Sequence, residues 1–212
     1  AEDIVSARYC AGTDAAGHNT YNVLDIQLRV PADLHPRNLL TNSSCGLCGS
    51  TALDQVRSRS RFELPTGGPS IDVDVLAGLP NRLRSRQTVF DATGGLHGAG
   101  LFTPDGTALM VREDVGRHNA VDKVIGWALR EGRIPGHELI LMVSGRTSFE
   151  LVQKAIMAGI PALGAVSAPS SLAVDLARDH GLTLAGFLRG DTMNIYSGAD
   201  RLNTSLRGAN SC

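Results

Sequence analysis

The chain has 212 residues, 42% of them apolar and 19% charged, which is the mixture of a globular protein able to bury a sizeable core. A formal net charge of −1 gives no reason to expect a nucleic acid as partner. No apolar run approaches the ~20 residues a membrane helix needs, so no membrane is expected either.

The start, "AEDIVSARYC", has no basic region followed by an apolar one, so no secretory signal is read there; it also lacks an initiator Met, which reads as a processed, tagged or truncated chain. Four cysteines in a chain of this size do not make a disulfide scaffold, and Cys10 and Cys212 stand alone. Of the 20 basic side chains only Lys123 and Lys154 are lysines. Arginine's planar fork suits phosphate, but runs such as Arg57, Arg59, Arg61 and Arg82, Arg84, Arg86 also read as solvated faces.

In chain order, "YNVLDIQLRV" (21–30) is rich in β-formers and reads as a strand. "RNLLTNSS" (37–44) reads as a second, running into the loop that holds Cys45 and Cys48. "LPTGGPS" (64–70) is a loop. The stretch 79–95 reads as one helix, with Pro80 in its first turn, Leu83, Gln87 and Phe90 at helical spacing, and Gly94-Gly95 ending it. "LHGAGLF" and "ALMVRED" flank "TPDG" as a hairpin. The stripe Val121, Val124, Ile125, Ala128, Leu129 marks a helix over 116–132.

The second half alternates. "ELILMVSG" is a buried strand, and Thr147 with Glu150 reads as a capping box opening the next helix. "IPALGAVSA" is a strand, "SSLAVDLARDHG" a helix stopped at Gly181, and "LTLAGFLRG" and "MNIYSG" are strands. This pattern predicts an α/β fold with a mixed, largely parallel sheet flanked by helices.

In such sheets ligands sit beyond the carboxyl ends of the strands. The predicted exits are 143–148, 166–171 and 186–192. They carry Ser144, Arg146, Ser167, Ser170 and Arg189, and two of them open helices whose N–H groups suit an anion. "REDVGRHNAVDK" is dense in polar groups, with His118 readable as a catalyst or as a satisfied structural histidine, and "TGGLHGAG" holds His97 in a glycine-rich turn.

Cys45 and Cys48 form one Cys-x-x-Cys pair among glycines. A closed zinc site takes four ligands, usually two such pairs. A zinc deaminase has His-x-Glu and Pro-Cys-x-x-Cys; here "HNA" lacks the Glu and no Pro precedes Cys45. The chemistry leaves open a thiol carrier or redox pair, a metal site, and plain structural thiols; no metal is expected.

Taken together, "SCGLCG", "TGGLHGAG", "EDVGRHNAVDK", "SGRTSFELVQKAIMAGI", "SAPSSLAV" and "GLTLAGFLRG…MNIYSGADRL" resemble the FdhD/NarQ family of formate dehydrogenase accessory sulfurtransferases, over roughly residues 37 to 202. The resemblance implies a cytidine-deaminase-like fold, to which Gly46 and Gly49 add the expectation of a mobile Cys-bearing loop. It implies a single domain over 1–212, short of part of the family's N-terminal segment, and a cytoplasmic homodimer. It further implies transfer of sulfur from a cysteine desulfurase to the Mo- or W-bis(molybdopterin guanine dinucleotide) cofactor of formate dehydrogenase. Cys45 matches the persulfide-bearing cysteine and Cys48 its partner. Phe187, Leu188, Arg189, Gly190, Asp191 and Thr192 match the segment assigned to cofactor binding. GDP is then expected to mimic the cofactor, with Asp191 as a candidate reader of the guanine edge. Two rival expectations are a cofactor-binding chaperone without sulfur transfer and a zinc-dependent hydrolase on the related fold.

Overall fold

The structure, a computed structural model, describes residues 2–10, 12, 15–18, 23–31, 61–66 and 70–203. The chain divides into two compact units, Ala1–Asn42 and Ser43–Cys212. In the first, β1 (Ile4–Cys10) pairs antiparallel with β2 (Val23–Leu28). Strand β2 lies inside the run read as a strand from sequence. Strand β1 was not legible, because its apolar and polar residues do not alternate over enough positions to mark it. The strand expected at 37–44 and the Cys45–Cys48 loop lie outside the described residues.

The second unit is built on six strands in the order β5-β4-β6-β7-β8-β9. They are β4 (His97–Phe102), β5 (Ala108–Asp114), β6 (Ile140–Val143), β7 (Ala162–Ala165), β8 (Thr183–Arg189) and β9 (Thr192–Ser197). A short parallel pair, β3 (Ile71–Asp72) with β10 (Leu202–Asn203), stands apart from this sheet. The expectation of a largely parallel sheet is corrected. Only β6–β7 and β7–β8 run parallel; β4–β5, β4–β6 and β8–β9 are antiparallel. The two edges are hairpin arms, and a hairpin return is antiparallel by necessity. Around "TPDG" the turn is held by Gly106 N donating to Thr103 O at 2.8 Å and by Asp105, whose carboxylate takes the Thr103 and Thr107 hydroxyls.

Both sheet faces are covered, which is why "ILMV" in β6 is apolar throughout. Leu141 and Val143 pack under α3 (Arg117–Arg130), α4 (Phe149–Met157) and α5 (Ser171–Asp179). Ile140 and Met142 pack with Leu76, Leu79 and Leu83 of α1 (Val73–Arg84).

The single helix read over 79–95 is two helices, α1 and α2 (Thr88–Thr93). Helix α1 begins earlier because Asp72 caps it, accepting from Asp74 N at 2.8 Å. Pro80 therefore lies inside α1 rather than in its first turn, and removes one backbone bond there. Gly94 ends α2 in the left-handed conformation, as read. The capping box is also corrected. Ser148, not Thr147, precedes α4, and its hydroxyl makes no cap bond. Thr147 is instead drawn into a bridge with Pro169.

Candidate functional site

The carboxyl ends of β6, β7 and β8 open on a cavity of about 530 Å³. Strand β4 runs against β6, so its first residue, His97, joins the same rim. Ser144 is fastened there on both sides: its N donates to Gly98 O at 3.0 Å and its Oγ accepts from Gly98 N at 2.8 Å. Leu83, Phe90, Leu96, Val166 and Leu188 give the cavity apolar walls. Polar groups reach it from Arg84, Gln87, His97, Ser144 and Arg189. Arg84 is already engaged, 2.5 Å from the Asp91 carboxylate and 4.6 Å above the Phe90 ring. Arg189 has no hydrogen bond or ion pair from its guanidinium among the described residues. An exposed, unpaired guanidinium at the mouth of an apolar-walled cavity suits an anionic group attached to a ring.

Of the sequence-named residues, Ser144, Leu188, Arg189 and Gly190 line this cavity. The others do not. Arg146 is exposed on its loop. Ser170 caps α5, accepting from Ala173 N at 3.2 Å. Ser167 uses its carbonyl to accept from Phe187 N at 3.3 Å. The exits 143–148 and 166–171 run side by side, with Thr147 N donating to Ala168 O at 3.1 Å and Ser170 N to Thr147 O at 3.0 Å. Thr147 N and Ser170 N, which lie before and at the two helix caps, are taken by this pairing. The exit 186–192 is a tight hairpin, in which Thr192 Oγ1 donates to Arg189 O at 2.9 Å and Asp191 sits exposed at the turn. Phe187 has φ 53° and is 46% exposed. That backbone is strained for an aromatic residue and presents the ring outward from the β8–β9 irregularity. Cys45 and Cys48 lie outside the described residues.

The FdhD/NarQ family model matches residues 1–203. The chain belongs to this family. A sulfur carrier protein FdhD from Nocardia farcinica is 70% identical over 208 residues, 98% of this chain and 75% of the relative. One from Mycolicibacterium paratuberculosis is 58% identical over 206 residues, 95% of this chain and 75% of the relative. A crystal structure from Desulfotalea psychrophila, described as a candidate formate dehydrogenase accessory protein, has a TM-score of 0.67 at 24% identity. It covers 95% of this chain and 72% of that one, and shares its fold.

The "EDVGRHNAVDK" motif that drew attention to the family forms a second polar cluster. Asp114 accepts from Gly116 N at 2.9 Å and Asn119 Nδ2 at 3.1 Å, and pairs with Lys123 Nζ at 2.6 Å. These contacts, Lys123 first, lower its pKa to about 2. His118 Nε2 stands 3.0 Å from Ser148 Oγ and 3.5 Å from Glu150 Oε2. Burial, then the charge of Arg117, pushes the His118 pKa down, with Glu150 opposing. The His118 contact explains why Ser148 does not cap α4. Both of its neighbours meet the same ring nitrogen, so the trio is not a nucleophilic triad, in which the carboxylate would hold the other nitrogen. Among the described residues no three His, Cys, Asp or Glu side chains converge into a metal-holding group.

Sequence reasoning missed Gln87 and Phe90 as cavity residues, since both were read only as helix periodicity. His97 had a signal, the glycine-rich turn around it. For Gln87 there was none.

Proposed function

We propose that this protein is a sulfur carrier in the maturation of formate dehydrogenase. It takes sulfur from a cysteine desulfurase as a persulfide on Cys45. It passes that sulfur to the bis(molybdopterin guanine dinucleotide) cofactor carrying Mo or W, which is its acceptor substrate. The observation that carries this reading is the 70% identity, over 98% of the chain, to a relative named sulfur carrier protein FdhD. The cavity at the strand ends supports the acceptor half: its walls suit a planar ring, and Arg189, whose guanidinium is unpaired among the described residues, suits a phosphate.

The chemistry asked of the chain is thiol exchange. The Cys45 thiolate attacks the outer sulfur of the desulfurase persulfide. That S–S bond breaks, the desulfurase thiolate leaves, and Cys45 keeps the terminal sulfur. The Cys48 thiolate then attacks the inner sulfur on Cys45. Hydrosulfide leaves toward the acceptor, and a Cys45–Cys48 disulfide remains for a cellular thiol to reopen. The protein works as a cytoplasmic homodimer, and none of its described helices is long and apolar enough to cross a membrane.

The test is incubation of the protein with a cysteine desulfurase and free cysteine, then thiol trapping and peptide mass measurement. One added sulfur on the Cys45 peptide is expected. Its absence, with a desulfurase known to be active on another acceptor, sinks the carrier reading and leaves the binding chaperone. Metal analysis of the purified protein addresses the zinc hydrolase reading, which requires about one tightly held zinc per chain.

A further inference from the structure

We propose that the Gln87 carboxamide reads the edge of the planar ring bound in the strand-end cavity, accepting from guanine N1–H and donating to O6. This rests on the cofactor-site reading above and adds the residue that recognises the base.

Three observations converge on Gln87. The first is that it is buried, only 2% exposed, yet lines the cavity. The second is that its amide has no hydrogen bond among the described residues. Gln87 stands at the N-cap of α2 but makes no side-chain cap bond. Glu113, reaching across from β5, has taken that role: its two carboxylate oxygens accept from Val89 N at 2.9 Å and Phe90 N at 2.8 Å. No other described residue bonds the Gln87 side chain. Among the described residues, neither Gln87 amide atom is a fully enclosed polar atom without a partner, so the amide opens on the cavity, where the edge of a ligand can take the place of water.

The third observation is that the side chain is held in place. It lies against the β4 backbone at Gly98, where an added Cβ would stand 2.6 Å from both Gln87 Cδ and Nε2. Gly98 is also the residue that fastens Ser144. The amide plane is therefore packed between α2 and the sheet. The apolar walls from Leu83, Phe90 and Leu188 suit the faces of a ring, and Arg189 at the mouth suits its phosphates.

A carboxamide offers one acceptor and two donors on neighbouring atoms. That matches a ring edge with a neighbouring N–H and C=O, as guanine has at N1 and O6. Gln87 does not reach for the 2-amino group in this pairing. Wild-type protein is thus expected to bind GDP and IDP alike. Gln87→Leu removes two hydrogen bonds and should weaken both nucleotides about tenfold or more. Gln87→Glu offers two acceptors, which fit N1–H and the 2-amino group of guanine and oppose O6. It should therefore prefer GDP over IDP severalfold, a preference the wild type lacks.

The experiment is calorimetric titration of the full chain with GDP and IDP, alongside melting of the unliganded variants. Because the amide has no partner among the described residues, unliganded Gln87→Leu should melt no lower than wild type. If wild type binds GDP and Gln87→Leu binds it equally, the inference is overturned while the cofactor-site reading stands. A destabilised Gln87→Leu together with a Gln87→Glu that shows no GDP preference also overturns it, since the side chain would then be structural. If wild type binds neither nucleotide, the cofactor-site reading falls and takes this inference with it.

Discussion

Ser148 and Glu150 both meet His118 at one ring nitrogen, and that nitrogen is where acid should be felt first. The lowered His118 pKa has a definite sign. Below 6.5 the unfolded chain takes the proton more readily than the folded one, so stability falls as pH drops from 6.5 toward the depressed folded value. Asp114, at about 2, does not titrate in that window; its contribution is lost only as pH falls below about 4. Urea unfolding at pH 7.5 and 5.5 should therefore show a loss of stability on acidification, and His118→Asn should reduce that loss. An equal loss in the variant would move the pH response elsewhere. At the same scale stand the thiols. Cys45→Ser should leave the melting temperature unchanged and abolish both persulfide formation and activation of formate dehydrogenase in cells lacking the native protein. Cys48→Ser should still load sulfur on Cys45 but release it slowly, read as persulfide that accumulates in the mass measurement.

Elements here are joined by a few contacts that admit no side chain. Gly198 follows β9 with φ 64°, and an added Cβ would lie 2.5 Å from Thr183 Oγ1 and 2.6 Å from Thr183 Cα. The obstruction on the Cα side is backbone, so it cannot swing away. Gly198→Ala should cost about 2 kcal/mol or more, from the left-handed backbone and the clash together. Chemical denaturation reads that directly, and a cost near zero would mean β9 shifts freely against β8. Arg201 ties the same end of the molecule. It is 5% exposed and donates to Gly181 O at 2.5 Å and Pro65 O at 2.6 Å. Those two carbonyls come from segments far apart in sequence, which makes Arg201 a strut. A cavity of about 450 Å³ lies beside it, where β9 ends.

At the scale of the whole molecule, ligand binding should appear as stability. A ligand that binds only the folded form at a hundredfold excess over its Kd adds about 2.7 kcal/mol. GDP should raise the melting temperature and ADP should do so less. Arg189→Ala should weaken GDP binding about tenfold, the worth of one charge-assisted hydrogen bond. Because an exposed ion pair is screened by salt, binding by wild type should also fall more steeply with ionic strength than binding by the variant. If Arg189→Ala keeps wild-type affinity and salt dependence, the phosphates lie elsewhere.

The sequence by itself determined the elements whose signal is local. The apolar stripe from Val121 to Leu129 marked α3, found at Arg117–Arg130, and the unbroken run "ILMV" marked a strand buried on both faces. Gly181 stopped α5 as read, and the motif string identified the family. It also pointed to the strand exits, where Ser144 and Arg189 line one cavity. Only the tertiary structure decided which polar groups stay available. The two exits pair with each other through the backbones of Thr147 and Ser170, and the expected cap at Thr147 gave way to a bridge with Pro169. Gln87 looked like ordinary helix until Glu113, from another strand, took over the cap and left its amide facing the cavity. The reason is physical. Periodicity and turn chemistry act over a few residues, whereas hydrogen-bond satisfaction depends on partners brought in from anywhere in the chain.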